Sequence, residues 1–146
     1  MTRAQCLITQ GRQVLMVKHR VNGDEWWCLP GGGVEAQETA IEAALRELQE
    51  ECCLVGKIVR KTAQATDGFG IDTITFQVEI DAQEPHMGTD PEFPQDEQIL
   101  AEIRWMTLAE IPERDRAYLW AAGLMSVPGF ENEASGWGDV LSYPHN

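Results

Sequence analysis

Basic residues are scarce in this chain: 11 against 24 acidic ones in 146 positions leave a net charge of −13. A surface so depleted in lysine and arginine argues against nonspecific nucleic-acid binding and against docking on anionic membranes. No apolar run is long enough to span a bilayer, and no secretory leader pattern opens the sequence. The four cysteines, Cys6, Cys28, Cys52 and Cys53, lack metal-ligand or disulfide-framework spacing. They read as small hydrophobes in a reducing, cytoplasmic setting. Internal repeats, low-complexity segments and polar linkers are also missing, so residues 1–146 are expected to form one domain. Nor is there a G-x-S-x-G nucleophile elbow, an H-E-x-x-H pair, a P-loop or a calcium loop. His19, His86 and His145 stand alone in the sequence.

What the chain does have is acid in one place. Between Gly32 and Leu54 a glycine-opened loop leads into a predicted helix carrying Arg46-Glu47-Leu48-Gln49-Glu50-Glu51. At about 100° per residue, Glu47, Glu50 and Glu51 share one helix face. Like charges so placed repel, and a divalent cation would compensate them. Ile41, Ala44, Leu45, Leu48 and Cys52 form a second stripe, turned about 120° away, with the geometry of a core-facing surface. Thr39 and Glu42 have capping-box spacing, and Glu42–Arg46 and Arg46–Glu50 are i,i+4 ion pairs, so Arg46 is expected to steady Glu50. Ala40 and Ala43 fall on the carboxylate side, where they either admit a close approach or simply favour the helix.

The run Gly32, five residues, Glu38, seven residues, Arg46-Glu47-Leu48-x-Glu50-Glu51-x-Cys53-Leu54 resembles the Nudix box of MutT-like hydrolases. Trp27-Cys28-Leu29-Pro30-Gly31-Gly32 is similar to its usual W-x-L-P-G-G lead-in. The match departs from the pattern at one place, where Cys53 stands for the glycine at the helix end; Gln37 also replaces a commonly seen glycine before Glu38, outside the strict pattern. A glycine just past a helix usually takes φ > 0, where a Cβ costs roughly 1 kcal/mol. The resemblance implies an α/β fold, a Nudix-type α/β/α sandwich with a mixed sheet. It also implies hydrolysis of a diphosphate linkage in a nucleoside diphosphate derivative, such as a nucleoside triphosphate or nucleotide sugar, with Mg²⁺ or alternatively Mn²⁺. Hard oxygen donors suit those ions.

Carried over position by position, the resemblance implies Glu50 and Glu51 as principal metal ligands. Glu47 is a third ligand or the group that activates water. Arg46 belongs to the same catalytic set, the Gly31 carbonyl is a further metal ligand, and Glu38 supports the loop. An acid from the loop before the last strand often joins such sites; Glu97 is the first choice, with Asp96 and Glu92 behind it. Trp26, Phe69 and Phe76 are candidates to stack a nucleobase. Trp26 lies opposite the core-facing Trp27. The partner is then a small nucleotide-like molecule, with no nucleic acid or membrane, and association into a homodimer is left open. A catalytically silent nucleotide-binding sensor on the same fold is the alternative reading, but intact Glu47, Glu50 and Glu51 favour an enzyme.

The remainder organises around this box. Ala4 to Thr9 and Gln13 to His19 read as a hairpin, and Trp26 to Leu29 as a short strand leading to the glycine loop. Thr73 to Ile80 alternates cleanly, and Leu54 to Ala65 contains a less regular strand. Residues 81 to 98, acidic and holding Pro85, Pro91 and Pro94, form a long loop of the kind that is often functional. Arg104-Trp105-Met106 reads as the following strand. Arg114 to Met125 reads as a second helix with Tyr118, Leu119, Ala122 and Met125 on its apolar side.

Overall fold

The alternating segment becomes β7 (Asp72–Ile80) in the computed structural model, which describes residues 1–88 and 99–130. It lies between β1 (Thr2–Leu7), which it pairs in parallel, and β6 (Gly56–Thr66), which it pairs antiparallel. Next to β1 runs the short antiparallel β5 (Gly31–Gly33), so this mixed sheet has the order β5-β1-β7-β6. A second sheet is built on β3 (Gln13–Val21). One edge of β3 takes β2 (Thr9–Gln10) and β4 (Asp24–Cys28), and the other takes β8 (Leu100–Thr107), all antiparallel.

Strand β3 has the run Val14-Leu15-Met16-Val17, buried throughout because both its faces are covered. Leu15 and Val17 join Ala4, Cys6, Ile8, Phe76 and Val78 in a core under α1 (Ala40–Cys52). Val14 and Met16 join Leu7, Trp27, Leu29 and Met106 in a second core under α2 (Glu113–Ala121) and the 3₁₀ turn Leu124–Ser126. Helix, sheets, helix is the expected α/β/α sandwich. No described helix is long and apolar enough to cross a membrane.

Several local expectations are corrected. The hairpin of Ala4–Thr9 with Gln13–His19 is divided: β1 belongs to the other sheet, and only Thr9 and Gln10 pair with β3. Long-range parallel pairing with β7 outcompetes the local turn over most of that strand. On α1 the buried face is rotated from the expected stripe. Ile41 is 44% exposed, whereas Ala43, on the carboxylate side, is fully buried beside Ala44, Leu48 and Cys52. Glu51, only 9% exposed, is itself part of the packed face. On α2 the apolar side reduces to Leu119 and Ala122, since Tyr118 and Met125 are exposed. Glu42 bonds the Thr39 N–H in the capping box, and Arg46 takes Glu38 as its partner instead.

Both replaced glycines sit where glycine is favoured. Cys53, the C-cap of α1, has φ 56°, and Gln37 in the loop has φ 66°. Both side chains are exposed and contribute no core packing. Cys53→Gly and Gln37→Gly are each expected to stabilise the fold by up to about 1 kcal/mol in urea denaturation. Lying at opposite ends of the element, their effects should add. A loss of stability in either variant would show that the side chain gives more than the backbone strain takes.

Candidate functional site

Glycine makes the entrance of the site possible. A Cβ on Gly32 would overlap the Glu47 carboxylate, and one on Gly31 would overlap the β1 backbone at Ala4 and Gln5. The β5 backbone is therefore pressed between β1 and α1, and the box helix lies directly against the loop. Gly31 donates its N–H to Glu51 Oε1 at 2.8 Å. In an extended residue the carbonyl leaves the same strand edge as the N–H, so the Gly31 carbonyl shares that side.

Arg46 organises the other half. Its Nε donates to Glu38 Oε2 at 2.7 Å, its Nη1 to Glu47 Oε1 at 3.0 Å and Glu50 Oε2 at 3.2 Å, and its Nη2 to the Gly33 carbonyl at 3.0 Å and Glu38 Oε1 at 3.1 Å. Glu38 also accepts the Glu35 N–H, and the Arg46 guanidinium holds its carboxyl below the usual range. Glu47 behaves oppositely. Burial and the neighbouring Glu51 push its carboxyl up to about 7, although Arg46 pulls the other way. One guanidinium does not balance the cluster.

Among the described residues no three His, Cys, Asp or Glu side chains come together closely enough to hold a metal ion. Arg46 lies between Glu38, Glu47 and Glu50 and ties their oxygens to itself. The donors nevertheless fit a hard divalent cation: carboxylates of Glu47, Glu50 and Glu51 and the Gly31 carbonyl, all oxygen, around a half-buried carboxyl short of positive charge.

One residue that the sequence left isolated belongs here. His19 on β3 has Nε2 3.3 Å from Glu51 Oε2 and Nδ1 3.8 Å from Cys28 Sγ. Burial opposes its protonation, but the Cys28 and Glu51 contacts outweigh it and push the imidazole up to about 10. Period-two counting along β3 could have signalled this, because Leu15, Val17 and His19 fall on the face that meets α1.

The stacking candidates separate. Trp26 pairs with His19 across β3 and β4 and meets its ring edge-on, with centroids 5.8 Å apart, on the box side of the sheet. Trp27 is 7% exposed in the other core. Phe76 is 6% exposed in the core under α1 and has no face to offer a base, which corrects its candidacy. Phe69 is 93% exposed at the tip between β6 and β7, two strands removed from β5, and is not brought to the box. Glu97, Asp96 and Glu92 lie outside the described residues.

Comparison with known proteins agrees with this geometry. The family model of the NUDIX domain matches residues 1–126. Phosphatase NudJ of Escherichia coli K12 is 44% identical over 46 residues, which is 32% of this chain and 30% of that protein's length. The chain thus matches less than a third of this curated relative. Among solved structures, a MutT NUDIX hydrolase from Burkholderia pseudomallei superposes with a TM-score of 0.65 at 19% identity, covering 86% of this chain and 97% of that one. A C. elegans Ap4A hydrolase gives a TM-score of 0.66 at 14% identity, covering 92% and 98%. At these identities the structures establish the shared fold.

Arg46→Met removes every one of the guanidinium contacts. It is expected to lower stability by about 1–3 kcal/mol in urea denaturation, because half-buried carboxylates lose their charged donors. An unchanged midpoint would show that solvent serves those carboxylates equally well.

Proposed function

This chain belongs to the NUDIX domain family, and from that premise we propose that it is a metal-dependent hydrolase cleaving a diphosphate linkage in a nucleoside diphosphate derivative. The observation that carries the reading is the pair Glu47 and Glu51. Two carboxylates one turn apart lie against the Gly31–Gly32 backbone, with the Glu47 carboxyl pushed up to about 7 by burial and its neighbour. A binding module has little reason to keep such a repulsive pair, and a cation-assisted hydrolase does.

Glu47, Glu50, Glu51 and the Gly31 carbonyl would hold Mg²⁺ or Mn²⁺. The bound ion would neutralise the diphosphate and lower the pKa of water. The chain supplies the rest. Arg46, fixed by Glu38 and the Gly33 carbonyl, keeps the Glu47 and Glu50 carboxylates from turning away from the loop. Glu47, whose carboxyl burial pushes up to about 7, would accept a proton from the attacking water or complete the ligand set. Trp26 offers a ring beside the box for a nucleobase, a contact worth about 1–3 kcal/mol by analogy with other base–aromatic stacks. Glu97 is assigned the additional acid. The described chain leaves at Gly88, whose N–H meets the Glu51 carbonyl, and resumes at Ile99, whose carbonyl accepts the Arg20 N–H next to His19. The described chain before that segment thus ends beside the last turn of α1, which carries Glu50 and Glu51.

The panel that tests this reading comprises nucleoside triphosphates, nucleotide sugars, ADP-ribose and dinucleoside polyphosphates with Mg²⁺. At least one is expected to be hydrolysed, with turnover lost in excess EDTA and restored by Mg²⁺ or Mn²⁺. Glu47→Gln and Glu51→Gln should each lower kcat by about 10²-fold or more. Turnover that survives chelation would overturn the metal assignment, and nucleotide binding without any turnover would favour the sensor. On the accepted substrate, Glu97→Gln should reduce kcat far more than it raises KM, and Trp26→Ala should mainly raise KM. A normal kcat for Glu97→Gln would remove it from the mechanism.

A further inference from the structure

We propose that His19 is a positioning residue for Glu51, holding that carboxylate in the orientation in which it binds the divalent cation. This rests on the metal-dependent reading above and adds a residue outside the box. The strand pairing of β3 sets the side to which the imidazole points. His19 is central in its sheet, paired with Trp26 on one side and Leu100 on the other. Between Lys18 and His19 the ladder with β8 slips, from Lys18 opposite Glu102 to His19 opposite Leu100. One extra residue on β8 makes this a bulge in that strand, while β3 keeps a regular ladder with β4 through His19.

The ring has little freedom. The Trp26 edge and the Cys28 sulfur contact it, and its side chain is 16% exposed. The Glu51 side chain is 11% exposed and has each oxygen engaged by a different element: Oε1 by the Gly31 N–H of β5, Oε2 by His19 Nε2 of β3. Two donors from two directions select one carboxylate rotamer. Each oxygen still has a lone pair free for a cation, since a carboxylate offers about four acceptor sites. Supporting hydrogen bonds of this kind fix the ligand before the ion arrives, and their loss elsewhere typically lowers metal affinity about 10–100-fold.

A purely structural tie between β3 and α1 would leave metal affinity alone, so the readout is Mn²⁺ binding to the full chain, followed by the free-ion paramagnetic resonance signal. His19→Gln places an amide N–H near the position of Nε2, whereas His19→Asn places one near Nδ1 and His19→Leu has none. Mn²⁺ affinity is expected to fall about 10–100-fold in the Leu and Asn variants and to stay within a few-fold of the parent in the Gln variant. With Glu51→Gln already present, His19→Leu should cause no further loss. Circular dichroism on the same samples identifies a variant that fails to fold, and the Gln–Asn comparison then decides alone. Parent-like Mn²⁺ affinity in folded His19→Leu or His19→Asn would overturn the role of His19 while leaving the proposed hydrolase intact. Absence of Mn²⁺ binding in the parent would overturn both.

Discussion

The Arg46 guanidinium is the interaction on which the site depends. It is permanently charged, and its planar fork serves five acceptors at once, on Glu38, Glu47, Glu50 and the Gly33 carbonyl. Three of those acceptors belong to β5 and the loop before the helix, and two to the helix itself. The same contact that offsets carboxylate repulsion therefore also fixes where the glycine loop lies. Lysine could supply the charge but not the fork, and the loop would lose a contact that a point cation cannot replace.

Glu51 is handled differently, and the contrast divides the site in two. Arg46 contacts Glu47 and Glu50 but not Glu51, which turns inward to a backbone N–H and an imidazole. Glu47 stands between the halves, bonded to Arg46 yet held up by burial and by Glu51. A site arranged this way has its negative charge concentrated against the Gly31–Gly32 backbone, a constraint on any anion that approaches it. The overall charge of −13 reinforces that constraint.

What the sequence made legible was local. The helix, its capping box and the Arg46–Glu50 pair follow from spacings of five residues or fewer, where the backbone fixes geometry, whereas the left-handed Cys53 was legible only through the resemblance to the box. The misplaced hairpin and the rotated core face share a different cause. Pairing of β1 with β7 spans about 70 residues of sequence, and nothing in Ala4 to Thr9 announces it. Alternation likewise showed that Phe76 faces one side of its strand, but only the seating of α1 determines that this side is covered. Period-two counting gives the face on which His19 lies but not its partner, since Glu51 is 32 residues away on another element.

The end of α1 shows why so unfavourable a cluster can persist. Glu50 and Glu51 lie in its last turn, where the helix dipole already concentrates negative charge, and no basic residue accompanies them. Backbone donors do the stabilising instead. Cys53 N–H bonds the Gln49 carbonyl, while His86 and Gly88, in the segment after β7, donate to the Cys52 and Glu51 carbonyls. A Cβ on Gly88 would overlap the Glu50 carbonyl, so the approach of that segment requires glycine. Neutral N–H groups satisfy the terminal carbonyls without cancelling the carboxylates beside them. A lysine or arginine at this terminus would have capped the carbonyls equally well, but it would also have added a further cation to Arg46 and His19, which already contact the side chains assigned to the metal.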